Sequence, residues 1–82
     1  NPFNPQTSIQ FDIPVDGEVT LEIYDIQGRL VRSLVNKKIT AGSHLITWDG
    51  FTNAGIPAAS GLYLYRMQAG EYSAIKKVTL LK

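Results

Sequence analysis

Alternation of apolar and polar residues with a period of two organises most of the chain. Over residues 7–13, Ile9, Phe11 and Ile13 share one face and Gln10 and Asp12 take the other, as in a half-buried strand. Pro14 and the pair Asp16 and Gly17 end that run. Residues 18–25 alternate again, with Val19, Leu21 and Ile23 opposite Thr20, Glu22 and Tyr24. Two such runs around a Pro-Val-Asp-Gly turn read as a β-hairpin or a strand pair with a short connection.

Gly28 closes the second strand, and the stretch that follows fits two patterns. Ile26, Leu30 and Leu34 stand at helical spacing, so residues 28–38 suit an amphipathic helix as well as a strand. The strand is preferred because Gly28 weakens a helix and Val31 and Val35 favour β structure. As a strand it needs a bulge, since Val31 and Leu34 cannot otherwise share a face.

After the turn signal Ala41 and Gly42, the residues His44, Ile46 and Trp48 alternate with Ser43, Leu45 and Thr47. Residues 51–60 read as a loop or short edge segment punctuated by Gly50, Gly55 and Pro57. Residues 61–69 place Tyr63, Tyr65 and Met67 opposite Leu62, Leu64 and Arg66. A last strand covers residues 72–81 with its phase open: Ala74, Val78 and Leu80 share one parity, Ile75 and Leu81 the other. Six or seven short antiparallel strands with Gly-containing turns predict an all-β, Ig-like sandwich without a disulfide. Its expected core is Ile9, Phe11, Leu21, Ile23, Trp48, Tyr63, Tyr65, Val78 and Leu80.

Composition narrows the possible functions. Eighty-two residues allow one core, and a domain of that size buries only about 60–65% of its unfolded surface, leaving few apolar side chains for a deep pocket. The chain has no Cys, which excludes a disulfide and a thiolate metal site. No apolar run reaches the ~20 residues of a membrane span, and no leader opens the chain. A start at Asn1 rather than Met suggests a piece of something larger. Internal repeats are absent. Residues 1–6, with Pro2 and Pro5, read as a stiff extended lead-in from a preceding domain.

The net charge of +1 covers an asymmetry. Residues 1–28 carry five acids (Asp12, Asp16, Glu18, Glu22, Asp25) and no base, whereas residues 29–82 carry eight bases against Asp49 and Glu71, a split of −5 and +6. If the early strands form one sheet and the later ones the other, the sandwich is polarised and steers a charged partner.

Candidate chemistry is sparse. His44, the one histidine, lies on the parity of Ile46 and Trp48 and reads as a packed residue rather than a member of a Ser-His-Asp triad. No glycine-rich phosphate loop is present. Asp49, Thr52 and Asn53 offer oxygens for Ca²⁺, but their spacing and single carboxylate fit Asx-type turns better. Tyr24, Trp48, Tyr63, Tyr65 and Tyr72 suggest a sugar platform, against which Trp48, Tyr63 and Tyr65 read as core fillers. Lys76, Lys77 and Lys82 mark an edge strand guarded against pairing or a surface for an acidic partner. Basic residues form no dense stripe, so nucleic acid is not an expected partner. No cofactor is expected.

The punctuation as a whole resembles a known family. Asn1-Pro2-Phe3-Asn4-Pro5, Leu21-Glu22-Ile23-Tyr24-Asp25, Gly28-Arg29-Leu30-Val31-Arg32-Ser33-Leu34, Trp48-Asp49-Gly50 and Ser60-Gly61-Leu62-Tyr63-Leu64-Tyr65-Arg66 resemble, in order and spacing, the type A C-terminal sorting domain of the type IX secretion system. The pattern is also similar to the Ig-like domain of the flagellar hook-capping protein. The sorting resemblance implies a non-enzymatic export and surface-sorting signal over residues 7–82, which carries an N-terminal cargo domain through the outer-membrane translocon. Removal by a sortase-like surface protease, or surface anchoring, would follow. Localisation would be the periplasm in transit, then the cell surface or the medium.

The residues that match the family's signal-bearing segments are Gly28, Val31, Leu34, Gly61, Tyr63, Lys76 and Lys77; Arg29 and Lys82 join them as translocon-contact candidates. Docking is expected through backbone pairing and charge at the last strand and the strand after Gly28. The same resemblance makes Tyr63 a tyrosine corner and puts Tyr65 where antibody domains carry a disulfide Cys. The alternatives are a structural or carbohydrate-binding Ig-like module of a secreted hydrolase, in which Tyr24 and Tyr72 stack on glycan, and a self-associating flagellar cap-like assembly domain.

Overall fold

A computed structural model describes residues 7–81. The lead-in expected over residues 1–6, and Lys82, lie outside the described residues. Six strands follow in chain order: β1 (Thr7–Ile13), β2 (Gly17–Asp25), β3 (Leu30–Ile39), β4 (Gly42–Trp48), β5 (Gly61–Ala69) and β6 (Tyr72–Leu80). They form two antiparallel sheets, β1-β4 and β3-β2-β5-β6. This is the all-β, Ig-like sandwich that the alternation predicts.

The first hairpin expectation is corrected. β1 pairs with β4, not with β2. Residues 14–16 carry the chain from one sheet to the other, so Ile9, Phe11 and Ile13 lie across the core from Val19, Leu21 and Ile23, and all six are buried. Each triplet has only one apolar side, and stacking the two strands in opposite layers buries both. True hairpins are β2-β3 and β5-β6. The latter turns in two residues, with Ala69 opposite Tyr72. Gly70 has φ +61°, the positive value that the first central position of such a turn requires.

β3 is a strand, and it carries not one bulge but two. Leu21 pairs with Val35 and Glu22 with Ser33, which leaves Leu34 as the extra residue; Ile23 pairs with Arg32 and Tyr24 with Leu30, which leaves Val31 as the second. Each insertion resets the phase, so Val31, Leu34 and Val35 all pack on the core despite their spacing. Of the residues at helical spacing, Ile26 lies in the turn and is exposed, Leu30 is exposed on the outward side, and only Leu34, as a bulge residue, packs on the core.

Trp48 is fully buried at the centre and meets Tyr63 edge to face, with centroids 5.1 Å apart. Leu21, Ile23, Met67, Leu80 and Val19 are as deeply enclosed. Of the expected core, Ile9, Phe11, Tyr63 and Tyr65 are buried and Val78 is half-buried. In β6 the parity of Ala74, Val78 and Leu80 faces inward, while Ile75 and Leu81 are exposed.

Candidate docking surfaces

Of the nine residues expected to contact a translocon, the eight within the described residues do not form one surface. β3 and β6 are opposite edges of one sheet, separated by three strand spacings, about 14 Å. Gly28 and Arg29 sit in the turn at the β3 end. There Gly28 has φ +85° and donates its N–H to Asp25 O at 2.9 Å. Arg29 Nε reaches Asp25 Oδ2 at 2.9 Å. Val31 and Leu34 are bulge residues half-covered by the core. Gly61 starts β5 opposite Leu80, and Tyr63 is buried. Lys76 pairs with Tyr65 on the inward side of β6 and Lys77 with Leu64 on the outward side, so the two lysines face apart. Lys82 is outside the described residues.

Asp25 organises its turn. Its Oδ1 accepts the amides of Gln27 and Arg29, each at 2.9 Å. The Arg29 amide, with the Arg29 side chain and the Gln27 amide behind it, holds the Asp25 carboxyl below its ordinary value.

Residues 49–58 form a second organised segment, closed by a bridge between Phe51 and Pro57 and by Ala58 N donating to Gly50 O at 2.8 Å. Phe51 O accepts two bonds, from Trp48 Nε1 at 2.9 Å and from Arg32 Nη1 at 3.1 Å, and so ties the core tryptophan to β3. Asp49 Oδ1 accepts from Arg32 Nη1 and from Phe51 N. Thr52 Oγ1 accepts the amides of Ala54 and Ile56. The Asp49 and Thr52 oxygens are thus spent on turn amides and on Arg32, as the Asx-turn reading expects, whereas Asn53 Oδ1 accepts the Ser33 amide of β3 at 3.0 Å instead. No group of three or more His, Asp or Glu suited to a metal occurs among the described residues.

His44 stacks on Phe11 with centroids 5.7 Å apart, and its Nε2 lies 2.7 Å from Thr40 O. The Tyr63 hydroxyl donates to Ala59 O at 2.6 Å, four residues upstream, closing the tyrosine corner. Three surface hollows among the described residues measure about 130, 320 and 170 Å³, at or below the lower end of the ~300–1,000 Å³ usual for small-molecule sites.

The sugar platform does not assemble. Trp48, Tyr63 and Tyr65 are buried. Tyr24 points outward on β2 and donates its hydroxyl to Glu22 Oε1 at 2.8 Å, a bond to a carboxylate that, with some burial, pushes the phenol above its usual value. Tyr72 pairs with Ala69 on the inward parity, the other side of the same sheet.

Nor do the two halves of the charge split separate into sheets. Acidic β2 lies between β3 and β5, where Glu18 is opposite Lys38 and Glu22 opposite Arg66. Antiparallel pairing sets opposite charges side by side, and the chain-level split becomes local compensation.

Alternation in the sequence missed one feature, the composition of the outward face of the larger sheet. Leu30, Tyr24, Leu64 and Lys77 form one rung across its four strands, and Ser33, Glu22, Arg66 and Ile75 the next. Leu30, Leu62 and Ile75 are exposed. The signal was present in the apolar Leu62 and Leu64 of the supposed polar parity of β5.

Comparison with known proteins places the chain in a family. A family model described as the FlgD Ig-like domain matches residues 4–73. Basal-body rod modification protein FlgD of Salmonella typhimurium (strain LT2) and of Salmonella typhi are each 38% identical over 55 residues, 67% of this chain and 23% of the relative. The chain therefore spans about a quarter of the length of these curated relatives. The crystal structure of FlgD from P. aeruginosa superposes with a TM-score of 0.74 at 23% identity, covering 92% of this chain and 60% of that one. FlgD from Xanthomonas campestris, a structure described for its insights into hook capping essential for flagellar assembly, gives 0.73 at 25% identity, with 93% and 56% covered.

These matches overturn the sorting-signal expectation. With it fall the type IX translocon and sortase-like protease as partners, the route through periplasm to cell surface, and the carbohydrate-binding alternative. Within the described residues, the motifs that suggested sorting fall on strands and the turns between them, so they report the fold rather than the use made of it. The chain belongs to the FlgD Ig-like domain family.

Proposed function

We propose that this domain is a non-catalytic structural module of a hook-capping protein, acting at the flagellar hook during assembly. The observation that carries the reading is the family match over residues 4–73, joined to 38% identity with proteins named for modification of the basal-body rod. The physics of the domain suits such a role. Trp48, Tyr63 and the segment 49–58 are cross-tied by hydrogen bonds, so the sandwich offers a stiff scaffold whose faces keep their relative positions.

The test is an in-frame deletion of these residues from the full-length protein in its source organism, scored by electron microscopy of hooks and by motility. Cells without hooks, restored by the intact gene, are expected. Hooks of normal number and length in the deletion strain would overturn the reading.

A further inference from the structure

An antiparallel sheet with one face on a core ordinarily turns polar residues to water on the other. The polar end of the larger sheet does so, with Asn36, Thr20, Gln68 and Ser73 in one outward rung. Towards the other end the rule fails. Leu30, Tyr24 and Leu64 lie side by side, Leu62 follows on β5, and Ile75 stands one rung away on β6. Leu30, Leu62 and Ile75 are 48%, 45% and 65% exposed, while the core beneath is closed, with Leu21 and Ile23 at 0%. The outer residues are therefore surplus to the core. Departures from local pattern of this kind concentrate at functional surfaces.

Charge says what kind of surface covers them. Lys77 stands opposite Leu64 in the first of these rungs and has no ion-pair partner among the described residues, whose salt bridges are Arg29 to Asp25 and Arg32 to Asp49. Arg66 in the next rung, by contrast, stands opposite Glu22 and donates from Nη2 to Gln68 Oε1 at 3.3 Å. The acid in these rungs, Glu22, has an oxygen engaged by the Tyr24 hydroxyl. The face thus pairs an apolar centre with one cation, Lys77, that has no acid opposite it.

We propose that this face docks an apolar, carboxylate-bearing segment of another protein chain, with its apolar side chains over Leu64 and Tyr24 and a carboxylate at Lys77. The inference rests on this chain's own residues, goes beyond the hook-cap reading and survives its failure.

The probes are two synthetic amphipathic helical peptides with the same leucine face, one flanked by glutamates and the other by lysines. They are titrated into the 82-residue chain while backbone amide shifts are followed. The glutamate peptide should bind with shifts confined to the outward rungs of Tyr24, Leu64 and Ile75, more weakly at high salt. Lys77→Glu, and separately Leu64→Ser, should each weaken it about tenfold, equivalent to about 1.4 kcal/mol. If either variant unfolds, the salt dependence and the peptide comparison on the native chain decide the matter. Equal binding of both peptides, no binding of either, shifts centred on the β1-β4 sheet, or self-association through this face would each overturn the proposal.

Discussion

Asn53 occupies the place of a strand residue beside Ser33: its Oδ1 accepts the Ser33 amide at 3.0 Å, while its own amide donates to Val31 O at 2.9 Å. β3 is an edge strand, and these two backbone groups flank the site where the bulges disturb its ladder. One asparagine therefore satisfies both groups on a free edge. Asn53→Ala should cost about 0.5–1.5 kcal/mol, the net value of an ordinary hydrogen bond whose partners can turn to water. Asn53→Asp, which keeps the acceptor, should cost less. Urea unfolding measures the loss, and exchange of the Ser33 amide should quicken in the alanine variant. Unchanged exchange would mean that the bond does not protect the edge.

The Tyr63 hydroxyl and ring do separable jobs. The hydroxyl holds Ala59 O at 2.6 Å, and the ring closes edge-on against Trp48. Tyr63→Phe should keep the packing and lose about 1 kcal/mol, whereas Tyr63→Ala should lose about 3–5 kcal/mol by opening a cavity beside the tryptophan. Chemical denaturation, with Trp48 fluorescence as the probe, separates the two. A phenylalanine variant as damaged as the alanine one would put the weight on the corner bond instead of the ring.

Asp25 ties its turn to pH with a definite sign. Its folded-state pKa lies below the ordinary 3.8, chiefly because the Arg29 amide bonds the charged form. A depressed carboxyl adds stability that is fully present above the unfolded value and disappears as pH falls through the folded one. Carbon-detected titration of Asp25 should therefore give a midpoint below 3.8, and Asp25→Asn should flatten that part of the acid limb of the stability curve. A midpoint at or above the ordinary value would show the turn open in solution.

Legibility of the sequence tracked the regularity of the strands. β1, β2, β4 and β5 keep strict alternation, so their inward residues, down to Trp48 and Met67, could be read directly. Pairing could not, because a period of two fixes which side is apolar but not which strand lies beside it; β1 found β4 through contacts some 35 residues apart in the chain. β3 misled because each bulge resets the phase, and because the apolar Ile26 and Leu30 that complete a helical spacing with Leu34 are exposed rather than part of the core. The charge split misled for a related reason, since linear charge becomes spatial only through strand order. Outer-face Leu62 and Leu64 were visible as apolar residues on a polar parity, but their clustering with Leu30 and Tyr24 requires the register.

Two lysines explain why the larger sheet ends where it does. Lys37 on β3 pairs with Val19, and Lys76 on β6 pairs with Tyr65, so each lies on the core-facing side of its edge strand, yet both are exposed. A further strand added at either edge, with a covering layer, would press an ammonium group into apolar surroundings, a recognised defence against edge-to-edge association. Lys37→Val with Lys76→Val should leave the monomer's stability within about 1 kcal/mol of the parent, valine being the better strand former, but should remove that defence. Light scattering and size-exclusion chromatography across a concentration series should show association in the double variant, less in each single variant and least in the parent. If the double variant stays as monomeric as the parent, the bulges and Asn53 at β3 are sufficient guards there and the lysines serve only solubility.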